Sequence, residues 1–313
     1  MNRNDKEVIG YLVFNRVKIN NANSISSPLT YGFPAITGFL GAVHAMSRKL
    51  SQHDTLNHLS LDGVLIACHD CQPQTYRANN YNDYTFNQTR NPIKKDGKTA
   101  SIIEEGKCNL DITLAVEVLA EDALDVEDNH ISQLIEQSKQ WIMQQRIAGG
   151  SVTHISRYQS VRFVTEEDSD EIKPMLLPAF VLMNAQQDLI DIKNILQATN
   201  PKVTELDALL DVCSLHHVPE TDDKNKTTWH TRSAKTGRGW LVPMPIGYQG
   251  ISDLFEPGEM QNTRNPEYPS QYVEAIYSLG KWVFPHRINE LQNAFWHYQY
   301  DFNNELYLVT QTN

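Results

Sequence analysis

Apolar and polar side chains alternate at the start of the chain, and the spacing then becomes helical. The alternation from Val8 to Ile19 predicts a strand with a buried face, and Arg16 and Lys18 project from the other, basic face. A helix is predicted over residues 35–50, where the apolar positions are Ile36, Phe39, Leu40, Val43, Met46 and Leu50.

The same patterns recur further along the chain. The apolar run 64–68 predicts a central strand, and the alternation over 110–118 predicts a one-sided strand. A second amphipathic helix is predicted over 131–142, with a C-cap at Gly149-Gly150, and a short strand over 159–164. The order β-α-β-insert-β-α-β predicts an α+β, ferredoxin-like (RRM-like) core with one sheet face free for nucleic acid. The aromatic RNP1 pattern is absent.

The insert, residues 78–107, lies between the second and third predicted strands. It contains Lys94, Lys95 and Lys98, and its Asp96-Gly97 pair predicts a hairpin turn. The hairpin is either a thumb that contacts a polynucleotide or an exposed hairpin whose lysines keep an edge soluble. Spacing alone favours the second interpretation.

The chain changes character after residue 170. We predict a core over residues 1–183 and a mixed C-terminal extension over 184–313 that packs on it. The elements predicted near and after this boundary are a strand at 176–182, helices near 185–197 and 204–213, a mobile loop at 219–239, and apolar packing at 240–243 and 272–284.

Composition agrees with a soluble globular protein. Of the 313 residues, 40% are hydrophobic and 21% charged, and no apolar run approaches the roughly 20 residues that span a bilayer. Four cysteines without a visible secretory signal indicate a reducing cytoplasm and no disulfide framework. No membrane partner is therefore expected.

Charge is distributed unevenly along the chain. Residues 1–107 contain 12 Lys+Arg and 9 Asp+Glu, a net +3, whereas residues 108–313 contain 15 and 29, a net −14. Because phosphate binding requires local positive potential, the N-terminal third is the better nucleic-acid face. Uneven surface charge without functional meaning is an equal alternative on this observation alone.

Candidate catalytic and metal residues are few. Cys68 and Cys71, with Cys213 and His216, are ligand types that zinc prefers, but Cys68 is more simply a small buried hydrophobe. His44 is either a general base or, the favoured alternative, a helix-surface histidine. No nucleophile elbow, P-loop or zinc-protease motif is present. We predict no catalytic residue, no metal and no cofactor.

Residues 20–34 form a predicted polar loop before the first helix. Asn21, Asn23, Ser24, Ser26 and Ser27 offer short hydrogen-bonding groups that suit phosphate oxygens or base edges. Capping and turn chemistry explains the same residues equally well.

Several strings resemble one protein family in collinear order. Residues 21–34, NANSISSPLTYGFP, closely resemble the first loop of the second subunit of the Csy complex, the type I-F CRISPR effector, also called Cascade. The further matching strings are TGF (37–39), TRNP (89–92), EEG (104–106), RIAGGS (146–151), LDALLD (206–211), GWLVP (239–243) and PHR (285–287).

This resemblance implies a RAMP-superfamily subunit with a thumb hairpin that grips the 5′ handle of crRNA without catalysis. The implied partners are crRNA, the large subunit, the first backbone subunit and, through the assembled complex, target DNA. The RNA contacts it implies are the Asn21–Ser27 loop, Arg90, Asn91, Arg146, Gly149 and Gly150. Charge and strand direction add Arg16, Lys18, Lys94, Lys95 and Lys98. The alternatives are a RAMP-family endoribonuclease that processes repeat RNA, and a pure protein scaffold.

Overall fold

The computed structural model describes residues 6–123, 126–223, 225–263 and 265–311, and these form two compact units. The first contains the described residues up to Val181 together with Phe284–His297, and the second contains Leu182–Val283 and Tyr298–Gln311. The first unit runs to Val181, and the sequence predicted a boundary after residue 183. Phe284–His297 differs from the prediction because it belongs to the first unit and not to the extension.

The first unit is built on long antiparallel strands. Its elements are β1 (Glu7–Asn23), α1 (Thr37–Leu50), β2 (Ser60–Pro73), β3 (Thr75–Tyr76), β4 (Thr85–Phe86), β5 (Gln88–Arg90), β6 (Ile102–Glu104), β7 (Lys107–Ala120), α2 (Asp128–Met143), β8 (Arg146–Ile147), β9 (Gly150–His154), β10 (Val161–Thr165) and α3 (Ile172–Met175). Strand β7 pairs with β1 and β2, and β1 also pairs with β9 and β10. The first strands and helices therefore follow the predicted order, with additional short strands.

Strand β1 is buried on both faces along its first half. Tyr11 and Leu12 point to opposite faces of the strand, yet both are buried. Phe295 of the Phe284–His297 segment stacks on Tyr11, on the face predicted to be buried, with ring centroids 5.0 Å apart. Leu12 and Phe14 alternate with Tyr11 and so lie on the face predicted to be free, yet neither has any exposed surface. That prediction is wrong for this half. The alternation also breaks at Arg16, whose φ is 55°, at a register shift between Phe14 and Val17.

Two predicted boundaries are wrong. Strand β1 continues through Asn23, so the polar loop is shorter than residues 20–34. Helix α2 ends at Met143 with Gln144 as its C-cap. Gly149-Gly150 instead joins β8 to β9, because the φ of 80° at Gly149 suits a tight turn between paired strands.

The second unit places two helices with an antiparallel sheet. Its elements are α4 (Gln186–Gln197), α5 (Glu205–Cys213), β12 (His216–Thr221), β13 (Thr227–Arg232), β14 (Trp240–Gly250), β15 (Val273–Val283) and β17 (Leu306–Gln311). Two strands cross the division between the units, namely β11 (Phe180–Asn184) and β16 (Trp296–Asp301). The unit's core contains Leu189 and Ile192 of α4, Ala208, Leu209 and Val212 of α5, and Leu241 and Leu279 of the sheet.

Both predicted helices of this unit are confirmed within a residue or two, but two other predictions are wrong. The predicted strand at 176–182 is β11, which begins at Phe180. The predicted mobile loop at 219–239 contains most of the β12–β13 hairpin, paired in register from His216 and Arg232 to Thr221 and Thr227. Throughout the described ranges, every helix is too short or too polar to cross a lipid bilayer.

Candidate nucleic-acid interface

The end of β1 meets the turn between β8 and β9. The Asn23 backbone N–H donates to the Ala148 carbonyl oxygen at 2.8 Å. Arg146 Nε donates to the Gly149 carbonyl oxygen at 3.2 Å and closes the turn. The structure therefore brings the Asn/Ser segment and the Arg146–Gly150 turn together, although more than a hundred residues separate them in sequence.

Side-chain amides join this region to β2 and β7. Gln74 Nε2 donates to Asn21 Oδ1 at 2.7 Å and to Asn109 Oδ1 at 3.2 Å. Asn21 has a left-handed φ of 58°, and its backbone N–H donates to Asn109 Oδ1 at 3.2 Å. Gln74 and Asn109 were missed because their contacts with Asn21 join positions 53 and 88 residues apart in sequence. We call the region formed by Asn21–Thr30, Gln74, Asn109 and Arg146–Gly150 the sheet end.

Ser26 and Ser27 serve as turn residues. Their hydroxyl oxygens lie 2.6 Å and 2.7 Å from Thr30 Oγ1. The Thr30 backbone N–H donates to Ser27 Oγ at 3.1 Å. The alternative of local turn chemistry therefore accounts for both serines.

Ser24 and Gly150 are buried, although both were predicted to contact RNA at the surface. Ser24 has no exposed surface. A Cβ on Gly150 would lie 2.6 Å from the Ala22 backbone nitrogen and 2.7 Å from Ile19 Cγ2. Gly150 is thus required by packing against β1, and it is buried, whereas the resemblance implied that it contacts RNA. Gly149 is exposed, and a Cβ on it would lie 3.9 Å from Asn23 Cβ, an ordinary contact distance.

Arg16 is engaged on the sheet. Its guanidinium forms a 2.9 Å ion pair with Asp111. His69 Nε2 lies 2.8 Å from Thr113 Oγ1. Burial, and to a smaller extent Arg16, lowers the pKa of His69 to about 4. Lys18 lies further along β1 and is exposed. Of the two basic residues predicted on β1, Lys18 is therefore the more accessible to a phosphate.

The insert is a pair of small exposed hairpins in succession. Strand β3 pairs with β4, and β5 pairs with β6. The predicted turn at Asp96-Gly97 is confirmed, since the Gly97 N–H donates to the Lys94 carbonyl oxygen at 2.9 Å and Gly97 has a φ of 77°. The predicted contact residues of the insert are all exposed, namely Arg90, Asn91, Lys94, Lys95 and Lys98.

Aromatic side chains of the insert were missed in the sequence. Tyr31, the residue directly after Thr30 of the sheet end, packs edge-on against Phe86 of the insert, with centroids 5.4 Å apart, and so joins the two regions. Arg77 lies over the Tyr84 ring at 5.1 Å, and Tyr81 is fully exposed. The dense Tyr and Asn content of residues 76–84 was the available signal. Aromatic rings beside cations suit unpaired bases.

The candidate zinc ligands keep ordinary roles. Cys68 is partly buried, and burial raises the pKa of its thiol to about 12. His216 Nε2 pairs with Asp211 Oδ1 at 2.5 Å. His44 is exposed on α1, which confirms the favoured interpretation of a helix-surface histidine.

A different group of possible metal ligands occurs among the described residues. One ligand atom from each of Asp62, Glu117 and His297 lies within 4.8 Å of the others. His297 Nε2 and Glu117 Oε2 are 2.8 Å apart, and both side chains are nearly buried. A Cβ on Gly63 would lie 2.2 Å from His297 Nε2. This pair joins the Phe284–His297 segment to β7 inside the first unit.

Comparison with known proteins identifies the family. The family model described as CRISPR-associated protein (Cas_Csy2) matches residues 12–309. The CRISPR-associated protein Csy2 of Pseudomonas aeruginosa strain UCBPP-PA14 is 34% identical, in an alignment that covers 95% of this chain and 93% of that relative. The match therefore includes the sheet end, the insert and both units. This chain belongs to the Csy2 family of CRISPR-associated proteins.

Proposed function

We propose that this chain is the non-catalytic subunit of a type I-F CRISPR surveillance complex that binds the 5′ handle of crRNA. It would pair with the large subunit and the first backbone subunit in the cytoplasm, and would meet target DNA only through the assembled complex. Membership in the Csy2 family supports the assignment to CRISPR defence. The arrangement of the sheet end supports the finer assignment to RNA.

The contact network of the sheet end supports RNA binding most directly. Asn21, Asn23 and Arg146 come from distant parts of the chain and are exposed in one region, which Tyr31 and Phe86 join to the insert. Amides and a guanidinium are the groups that read base edges and phosphates. Positive charge along the path of the bound RNA would come from Lys94, Lys95 and Lys98.

The strand order supports a ferredoxin-like RAMP core. Counting the long strands β1, β2 and β7 as first, second and third, and β10 as fourth, the order across the sheet is fourth, first, third, second. In the chain, helix α1 lies between β1 and β2, and helix α2 lies between β7 and β10. This arrangement is the one expected for a β-α-β-β-α-β chain.

The histidines support a passive role. A ribonuclease of this superfamily would need an imidazole that exchanges protons near neutral pH. His69 is the histidine beside Arg16, and its pKa of about 4 keeps it neutral at pH 7. His44, the other candidate, lies on the outer surface of α1.

The test is crosslinking within the complex. The tagged chain is co-expressed with the other subunits and crRNA, irradiated with ultraviolet light, and the crosslinked peptides are identified by mass spectrometry. We expect handle crosslinks in peptides that contain Asn21 to Ser27, Arg90 to Lys98 and Arg146 to Gly149. Handle crosslinks confined to other subunits would refute the proposal.

Cleavage is measured separately. The purified complex subunit is incubated with repeat RNA in the absence of the processing endoribonuclease. We expect intact RNA after hours at pH 7.5. Cleavage that disappears in His69→Gln or His44→Gln would instead establish the endoribonuclease alternative.

A further inference from the structure

Helix α5 has two apolar faces, and only one of them is buried. Ala208, Leu209 and Val212 pack in the core of the second unit. Leu206 and Leu210 lie four positions apart on the outer face and are 52% and 53% exposed. A monomeric surface helix needs one apolar stripe, so the second stripe indicates a surface that another molecule covers.

The chain continues from this helix into a hairpin that is exposed on both faces. All residues of β12 and β13 are exposed except Val218, which is partly so. Leu215, between α5 and β12, is 65% exposed, and Trp229 on β13 is 64% exposed. Trp229 is paired in register with Pro219, on a hairpin face that contains no charged side chain. Isolated two-stranded hairpins are marginally stable in water, so a covering partner would stabilise this one.

Charge along the same segment is negative. Residues 205–232 contain six Asp+Glu and three Lys+Arg, a net −3. Glu205, Asp207 and Asp211 lie on α5 beside the exposed leucines, and Glu220 lies on β12. Within the chain, Glu205 pairs with Lys193, Asp211 with His216 and Glu220 with His230. Carboxylates around an apolar centre are complementary to a surface with the same centre and a rim of lysine and arginine.

We propose that residues 205–223 and 225–232, which we call the docking segment, form the surface through which this chain binds a different protein subunit of its complex. The partner presents an apolar groove rimmed by basic side chains. The outer stripe of α5 fills the groove, and Trp229 anchors the hairpin beside it. The assignment of a complex rests on the proposed function, whereas the docking surface itself rests on the second unit alone.

Charge makes the two other occupants less favourable. RNA or DNA would bring phosphates against a segment of net −3, which repels them. A second copy of this chain, related by a two-fold axis, would place one acidic rim against the other. A heterologous protein with a basic rim satisfies both the charge and the apolar stripe.

The experiment compares two matched double variants in the co-expressed complex with crRNA. Leu206→Asp/Leu210→Asp alters the outer stripe of α5. Ile251→Asp/Leu254→Asp alters two apolar residues of similar exposure outside the docking segment, at 57% and 61%. Native mass spectrometry gives the protein composition, and ultraviolet crosslinking gives the handle contacts. We expect the α5 variant to lose at least tenfold of one protein subunit while its handle crosslinks remain, and the control to keep every subunit.

Trp229→Ala provides a second variant that leaves α5 unchanged, and we expect a partial loss of the same subunit. Circular dichroism confirms that each variant is folded. Retention of all subunits by both docking variants overturns the inference. It is also overturned if wild-type protein contains two copies of this chain joined through the segment, or if the variants lose only RNA. Absence of handle crosslinks in the wild-type complex would refute the proposed function. The docking inference would still be tested by the protein composition of the complex, which is measured independently.

Discussion

The tip of the insert and the docking segment are both exposed hairpin regions, yet their surfaces are opposite in character. Residues 88–100 of the insert carry four Lys+Arg and one Asp, a net +3, whereas Glu205–Arg232 carries a net −3. The docking segment also exposes Leu206, Leu210 and Trp229. A hairpin by itself therefore indicates little about function. The charge and apolar content that it carries decide whether phosphate or protein is the better partner.

The two regions also differ in what supports them. Asn23 and Gly150 of the sheet end, which adjoins the insert, are held by backbone contacts to other strands of the first unit. The β12–β13 hairpin is supported mainly by its own pairing. Substitutions should therefore affect folding at the sheet end and affect only association at the docking segment.

The largest expected effect comes from Gly150→Val. Its side chain would clash with the Ala22 backbone and Ile19, so we expect the free energy of unfolding to fall by about 3 kcal/mol. Trp229→Ala removes a large side chain, but one that is exposed, so the free energy of unfolding should change by less than about 0.5 kcal/mol. Urea denaturation of both variants measures the difference. Equal effects would remove the distinction between a packed sheet end and an exposed docking segment.

The next effect concerns the lysines at the insert tip. In Lys94→Glu/Lys95→Glu, two positive charges become negative, and we expect crRNA capture to weaken about 30-fold and the slope of log K against log salt to flatten by about 1.4. Filter binding over a salt series measures both quantities.

Lys139→Glu/Lys202→Glu is the control for the tip lysines, because both residues are exposed outside the sheet end and the insert. Capture should remain near the wild-type value in the control. If the tip variant also binds normally, the lysines only keep the hairpin soluble, as their spacing alone suggested.

A smaller effect depends on pH and concerns stability beside the sheet end. His69 has a folded-state pKa of about 4, below its ordinary value of 6.5, because it is buried and lies near Arg16. Between these values the unfolded chain binds a proton that the folded chain does not, so stability is complete above pH 6.5 and declines as pH falls toward 4.

The decline should be about 1 kcal/mol, because His69 is partly solvated. Thermal or urea unfolding at pH 7.5 and 4.5 measures the loss, and His69→Gln should reduce it by that amount. An identical pH dependence in wild type and variant would show that other groups cause the decline.

The smallest expected effect is that of Arg146. Arg146→Ala removes both a positive charge and the hydrogen bond to the Gly149 carbonyl, and we expect crRNA capture to weaken about threefold. Arg146→Lys keeps the charge and loses the Nε donor. Capture that is restored in the lysine variant identifies charge as the main contribution, and capture that stays weak identifies the turn geometry. Unchanged binding in both variants would exclude Arg146 from the interface.

Local patterns predicted the elements that depend on local physics. The helices near 35–50, 185–197 and 204–213 are present because the apolar spacing of each segment matches one helical face. The Asp96-Gly97 turn is present because glycine adopts positive φ without strain. The matched family strings also anticipated that the sequence belongs to the Csy2 family.

Only tertiary structure decided which residues share a site. Asn23 and Ser24 are adjacent polar residues, but Asn23 is exposed and Ser24 is buried. Ser24 is buried because Gly106, at the end of the insert, packs against it. Gly150 packs on Ala22, a contact that no local sequence pattern predicts. Local spacing determines helices and turns, whereas burial depends on partners that are distant in sequence, such as Gly106 for Ser24 and Ala22 for Gly150. These contacts exist only once the strands have paired.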